Sequence, residues 1–587
     1  MFIAKNGNSD VKKIVISEKA SISVRHAARE FQHFLRQMTN VTMPIITDDM
    51  GVTGLEIYIG YSKRTEQAGI SPDTAHGGEG YIIKVLNGNL IIAGNDPRGT
   101  LYGVYSFLED YCGCRWYTSN FSYIPQHKDI AIDDKLNISF APIFEYRETF
   151  YYDSFDGDFA ARNRLNGSHM RLNDEHGGNV KYAKGYFVHS FSRLVPPEKY
   201  YDSHPEYFAL RNGVRECENA QLCLTNEDVL KISIEKTLED LRREPDVNII
   251  SISQNDGTLP CTCSECQAVV EEEGSEVGPV LRFVNKVAEA VEKEFPNVAI
   301  DTLAYDYSRN PLKLTKPNHN VIIRLCSFEC CFSHPLDDCR QTADLKKRSN
   351  KKSDDFAGDV EKWSEISDKL YIWDYVTNFE FYQLCHPNLH VLAPNIRFFA
   401  KNNVKGVFEQ GNGQGEYGEM AELRTWLLAK LLWNPDFDVE KGIDEFLAAW
   451  FGPAAGTVRE YLDLMREAIL TSGYHLSLYD APKAPHITIE LLSKADEIFD
   501  RAEKLTSNMP IENRRVRKER IGIRYAWFFN MPPEDDRELR VSNFMNESKE
   551  LGIKKFSEKW GTKNIRRLAL CGVWPPAKED SVVIRDN

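Results

Sequence analysis

The chain has no uninterrupted apolar run near the roughly 18–20 residues that span a bilayer, so no membrane anchor is expected in it as given. Its opening, MFIAKNGNSDVKK, lacks the apolar stretch of a secretory signal, which points to the cytoplasm. A chain whose signal had been removed would look the same, and a periplasmic or secreted location would then follow. Positive charge is in deficit. There are 72 Lys and Arg against 87 Asp and Glu, a net charge of -15, so phosphate backbones are on balance repelled and nucleic acid is not an expected partner. A Walker Lys-Ser/Thr, a GxSxG elbow and an HExxH pair are all missing, and no cofactor is expected. Repeats of 20–50 residues and low-complexity tracts are absent as well.

What is there is ordinary globular usage: 587 residues, 42% hydrophobic and 27% charged, enough for several cores. The thirteen cysteines are odd in number and many sit in apolar runs, which favours free buried thiols in a reducing compartment over a disulfide framework.

Three domains are expected, at residues 1–140, 141–438 and 439–587. The first alternates strand-like and helical runs, and in GYIIKVLNGNLIIAG two alternating apolar segments flank Asn87-Gly88, the pair that a tight hairpin needs. It reads as a small α/β domain. In the second, eight apolar runs of strand length recur at 143–152, 186–191, 221–225, 248–253, 298–305, 320–326, 369–376 and 406–411, separated by longer segments, several of them helical. Strand and helix in alternation predict an α/β fold with a central (β/α)8 TIM-like barrel. Beyond Pro435 the pattern is purely helical, giving a C-terminal α domain.

In such a barrel the active site lies at the carboxyl ends of the strands. Acids or their neighbours recur there: Asn255 and Asp256, Glu329, Asp374 and Glu409. Glycosidic cleavage requires one carboxylic acid to protonate the leaving oxygen and a second group to stabilise or attack the anomeric carbon, so these five are the candidate catalytic residues. Aromatic rings beside them suit the C–H face of a sugar; Tyr152, Tyr305, Trp373 and Tyr375 are substrate-binding candidates, with His189, His334 and Asn412 as hydrogen-bonding ones. Asn412 stands in Gly411-Asn412-Gly413-Gln414-Gly415, read as a substrate loop. Cys261, Cys263 and Cys266 could supply three zinc ligands, with Cys217 or Cys223 as a fourth, but without a second CxxC they read first as thiols that shape the loop.

The stretches SISQNDGTLPCTCSEC, IDTLAYDYSRNP, VIIRLCSFECCFSHPLDD, LYIWDYVTNF and VKGVFEQGN resemble the bacterial family of domain of unknown function 4838, some of whose members form glycoside hydrolase family 163. GYIIKVLNGNLIIAGNDPRGTLYGVYSFLEDYCGCRWY is similar to the N-terminal domain of α-glucuronidases. The resemblance implies a barrel glycoside hydrolase, and for family 163 a retaining endo-β-N-acetylglucosaminidase acting on N-glycans, with an oligosaccharide or glycoprotein glycan as partner. In neighbouring-group hexosaminidases the substrate's 2-acetamido oxygen is the nucleophile, so Asn255 would orient the acetamide and Asp256 would protonate. Alternatively Glu329, Asp374 or Glu409 is the acid. Two further alternatives stay open: an α-glucuronidase-like hydrolase, for which Arg147 or Arg324 would meet the sugar carboxylate, and a non-catalytic glycan-binding protein.

Overall fold

The structure is a computed structural model and describes residues 1–52, 54–72, 77–217, 220–257, 259–340, 355–532 and 535–572. Residues 573–587 of the expected C-terminal domain lie outside the described residues. Two compact units divide the chain: residues 1–179, 377–393 and 411–587 form the first, and 180–376 with 394–410 the second. The expected N- and C-terminal domains both fall in the first unit, and the residues of the expected barrel are divided between the two.

The first unit opens with a six-stranded sheet. Its strands are β1 (Val11–Ile16), β2 (Ile45–Thr47), β3 (Leu55–Ile59), β4 (Tyr81–Leu86), β5 (Asn89–Gly94) and β6 (Asn137–Phe140), in the order β6-β4-β5-β3-β1-β2. The hairpin between β4 and β5 forms where Asn87-Gly88 predicts it: φ is 50° and 76° at these two residues, and Leu86 pairs with Asn89. Helix α1 (Ile22–Thr39) is capped by Ser21 and ends at Asn40 in the left-handed region, and it buries Val24, Ala27, Phe31, Phe34, Leu35 and Met38. It packs on α2 (Gly99–Asp110), with Phe31 and Phe107 rings 5.7 Å apart. Short strands and many helices complete the unit, including the amphipathic helices Val439–Phe451, Ala455–Ser472, Ile489–Leu505 and Pro510–Asn530 that the hydropathy pattern predicts.

The second unit is built on parallel strands β7 (Ile249–Ser251), β8 (Ala299–Ala304), β9 (Val321–Cys326), β10 (Leu370–Tyr375) and β11 (Val404–Gln410), paired in chain order as a curled half-barrel. Helix Val277–Glu292 returns the chain from β7 to β8 and buries the expected stripe of Val280, Val284, Val287, Ala288 and Val291. The last five expected strands form. Among the first three, 143–152 holds a strand at Tyr146–Phe150 in the first unit; 186–191 is loop running into the short helix Phe191–Leu194; 221–225 makes one isolated bridge, Leu222 to Phe208. Both of the last two runs are apolar enough for strands, but each is held by a few backbone bonds to neighbouring segments and not by a ladder.

Candidate functional site

Successive side chains of a strand point to opposite faces, and in parallel strands register partners share a face. The registers Ser251–Asp301, Asp301–Ile322, Leu303–Arg324, Arg324–Tyr371, Cys326–Trp373, Trp373–Phe408 and Tyr375–Gln410 therefore define one face of the half-barrel. Its polar and aromatic members touch one another: Trp373 donates its indole N–H to Gln410 Oε1 at 2.8 Å, and Trp373 and Phe408 rings lie 4.7 Å apart. Phe187 packs edge-on against Phe408 and against Tyr182, whose backbone bridges to Ile249, and lies tilted against Trp373. This is the inner face. The opposite, outer face carries Ile250, Ile300, Ile323, Leu325, Leu370, Ile372 and Val407, all buried.

Deep on the inner face, Arg324 pairs with Asp301 at 2.8 Å, Tyr182 donates its hydroxyl to Asp301 at 3.2 Å, and Ser251 donates to the same carboxylate at 2.8 Å. The Arg324 guanidinium also sits over the rings of Tyr182, Phe187 and Trp373. Sequence reading singled out Arg324 and did not join it to Asp301. Their common parity on paired strands is the signal that joins them.

At the carboxyl ends the rings climb to the solvent in a chain: Trp373 to Tyr375 at 6.4 Å, Tyr375 to Phe328 at 5.7 Å, Phe328 to Tyr305 at 6.0 Å and Tyr305 to His189 at 6.2 Å. Asp256 is exposed beside them, its Oδ1 3.4 Å from the Tyr305 hydroxyl. Burial, then the charges of Asp256, Cys326, Asp306 and Glu329, push the Tyr305 phenol far above its ordinary range, so it stays a hydrogen-bond donor at any physiological pH. Glu329 is half-buried, and Arg309 holds it at 3.0 Å. His189 stands at φ 54°, with Nδ1 2.8 Å from the Gln254 carbonyl. A carbonyl only accepts, so Nδ1 carries the proton and a neutral His189 offers Nε2 as an acceptor. The structure thus brings together Asp256, Tyr305, Glu329, His189, Trp373 and Tyr375.

Asn255 is next to Asp256 yet points elsewhere. Its Oδ1 accepts from Ser192 N at 3.1 Å and its Nδ2 donates to the Ala220 carbonyl at 2.7 Å, so the amide holds the loop. Asp374 and Glu409 require a correction: they are register partners on the outer face, the parity opposite to Trp373 and Gln410, so they do not join the mouth acids. Asp374 accepts from Ser327 and from Tyr375 N, and burial pushes it up to about 6. Burial and then the Asp374 charge push Glu409 well above the carboxylate range, and its Oε2 is buried with no hydrogen-bond partner. One charge between two such carboxyls is the most this site holds near neutrality.

Of the remaining candidates, His334 has Nδ1 3.2 Å from the Cys331 sulfur, in the loop after β9. Tyr152 and Asn412 belong to the first unit; Tyr152 is exposed, and Asn412 donates Nδ2 to the Gly415 carbonyl at 2.9 Å. Cys261, Cys263 and Cys266 meet Cys223, whereas Cys217 is exposed.

Known proteins bear on this geometry. The family described as Glycosyl hydrolase family 67 N-terminus matches residues 4–107. A search of curated proteins found no match. Among solved structures, one titled as a family GH115 4-O-methyl-α-glucuronidase, BtGH115A, with specificity for decorated arabinogalactans is 12% identical, with TM-score 0.57, covering 98% of this chain and 81% of its own. CpGH84B is 13% identical with TM-score 0.43, each chain covered to 96%. At 12% identity the likeness to BtGH115A is one of fold. The match at residues 4–107 supports a glycosidase. The family described as Domain of unknown function (DUF4838) matches residues 116–463, more than half of the sequence, and the chain belongs to that family.

Proposed function

We propose that the chain is a glycoside hydrolase cleaving β-linked N-acetylglucosamine in glycans, on a (β/α)8-type barrel of which the half-barrel is the core. Asp256 protonates the glycosidic oxygen as the C–O bond breaks, and then takes a proton from the incoming water. The observation that carries this reading is the solvent-facing Asp256 carboxylate against the Tyr305 hydroxyl, at the end of a continuous run of rings. Glu329, ion-paired with Arg309, is the second carboxylate of the mouth.

The choice of sugar rests on the family resemblance and on one further observation. A uronic acid needs a cation at its carboxylate. Arg324 and Arg147 are both buried and already paired, with Asp301 and Glu79. A neutral sugar therefore suits the mouth better than a charged one. Because the Asn255 amide faces the backbone, we assign the acetamide contact to Tyr305.

Mass-spectrometric product analysis tests the reading on a panel of complex and high-mannose N-glycoproteins, chitooligosaccharides and glucuronoxylan fragments. Release of an N-glycan one GlcNAc shorter, abolished by Asp256→Asn, is expected. Release of glucuronic acid instead, or wild-type turnover in Asp256→Asn, would overturn it.

A further inference from the structure

Four cysteines from two separate segments converge in the second unit. Cys223 comes from the loop before helix Glu227–Arg243, Cys261 from the loop after β7, Cys263 caps helix Ser264–Glu273, and Cys266 lies in that helix's first turn. All four are buried, with at most 5% of any residue exposed, and all four sulfurs lie within 4.8 Å of one another. Cys223 and Cys263 sulfurs are 3.6 Å apart. That is far beyond the roughly 2.05 Å of a disulfide. It is close to the edge of a tetrahedron with metal–sulfur bonds of about 2.3 Å, which places sulfurs about 3.8 Å apart.

The surroundings favour sulfur as an anion. Leu210 N–H points at Cys261 Sγ at 3.3 Å, Arg215 Nη1 lies 3.9 Å from the same atom, and Thr225 Oγ1 is 3.3 Å from Cys266 Sγ. Two of the four sit at the N-terminus of a ten-residue helix, where the peptide dipoles stabilise negative charge. Four thiols packed merely as small apolar groups require neither donors aimed at sulfur nor a cation beside them.

We propose that Cys223, Cys261, Cys263 and Cys266 bind one structural zinc ion. Four thiolates with no open position form a closed tetrahedral site, which suits zinc in a structural and not a catalytic role. The ion ties the two segments into one piece, and that piece reaches the candidate site. Gln221, two residues before Cys223, accepts from Asn255 N at 3.0 Å and donates to the Asn255 carbonyl at 2.8 Å. Zinc thereby fixes the loop that presents Asp256.

Elemental analysis of the full chain, purified without chelator or affinity tag after growth with zinc, tests this directly. About one zinc per chain is expected, with near-complete loss in Cys263→Ser and in Cys266→Ser and full retention in Cys217→Ser. Should the serine variants fail to fold, the wild-type protein still decides: a thiol-specific mercurial should release the zinc as four thiols react, and cobalt-substituted protein should show thiolate-to-cobalt charge-transfer absorption. Substoichiometric metal, stoichiometric iron in place of zinc, a disulfide among the four by intact mass, or zinc retained in both serine variants would overturn the proposal.

Discussion

Glu109 in the first unit and Glu409 in the second are both buried glutamates, and their surroundings drive them in opposite directions. Glu109 meets Arg164 and Lys430, and although burial alone would raise it, these two cations draw it down to about 2. The same burial draws Lys430 down to about 8. Glu409 has another carboxyl, Asp374, as its register partner, and both rise. Burial sets how strongly a charge is felt, and the sign of the neighbour sets whether the proton stays. Asp256 is a third case, exposed at the mouth and therefore free to meet a substrate.

The sharpest break in this comparison separates chemistry from stability. Asp256→Asn should lower turnover by about 10²–10⁴-fold, the usual worth of a general acid, while leaving thermal unfolding unchanged. Product release rates and a melting curve on one preparation decide it. Next, Glu109→Gln strands two buried cations and should lose about 3–5 kcal/mol by denaturant unfolding of the unit that holds it. The sign of its pH dependence is fixed: a carboxyl lowered in the fold contributes stability above its unfolded value, near 4.5, that disappears as pH falls toward about 2, so the variant should have a flatter acid limb.

Glu409→Gln should act the other way. Carboxyls raised in the fold keep protons that the unfolded chain releases, so wild-type stability falls as pH rises from about 4 through 6 and above. Removing one of the two acids should raise the melting temperature at pH 8 by the equivalent of about 1–3 kcal/mol and change little at pH 4. An equal gain at both pH values would show that the two carboxyls do not compete for protons. Smallest of all, Glu175→Gln breaks an ion pair with Arg29 in which both side chains are half exposed. Stability should move by less than about 1 kcal/mol, and less still at high salt.

Much of this was legible in the sequence. The Asn87-Gly88 hairpin, the five strands of the half-barrel and the amphipathic C-terminal helices follow from local pattern, because each is specified by residues a few positions apart. The runs at 186–191 and 221–225 were not, since a short apolar segment does not say whether a neighbour will offer a ladder. In the site, the types of residue at the strand ends were visible, but treating all the acids as one set ignored the pleat that turns Asp374 and Glu409 away from Trp373 and Gln410. The cysteine motif was visible too. Its fourth member comes from a segment ahead of β7, and only the tertiary fold selects Cys223 over Cys217.

The alternation along β10 and β11 has a consequence for how these strands tolerate change. Substitutions alter one side chain, whereas inserting or deleting a single residue in β11 would exchange every inward and outward position beyond it. Phe408 would enter the outer face and Glu409 would enter the ring-lined interior. The reading frame of a strand is counted in twos, and length within these two segments is constrained more tightly than identity at any one place.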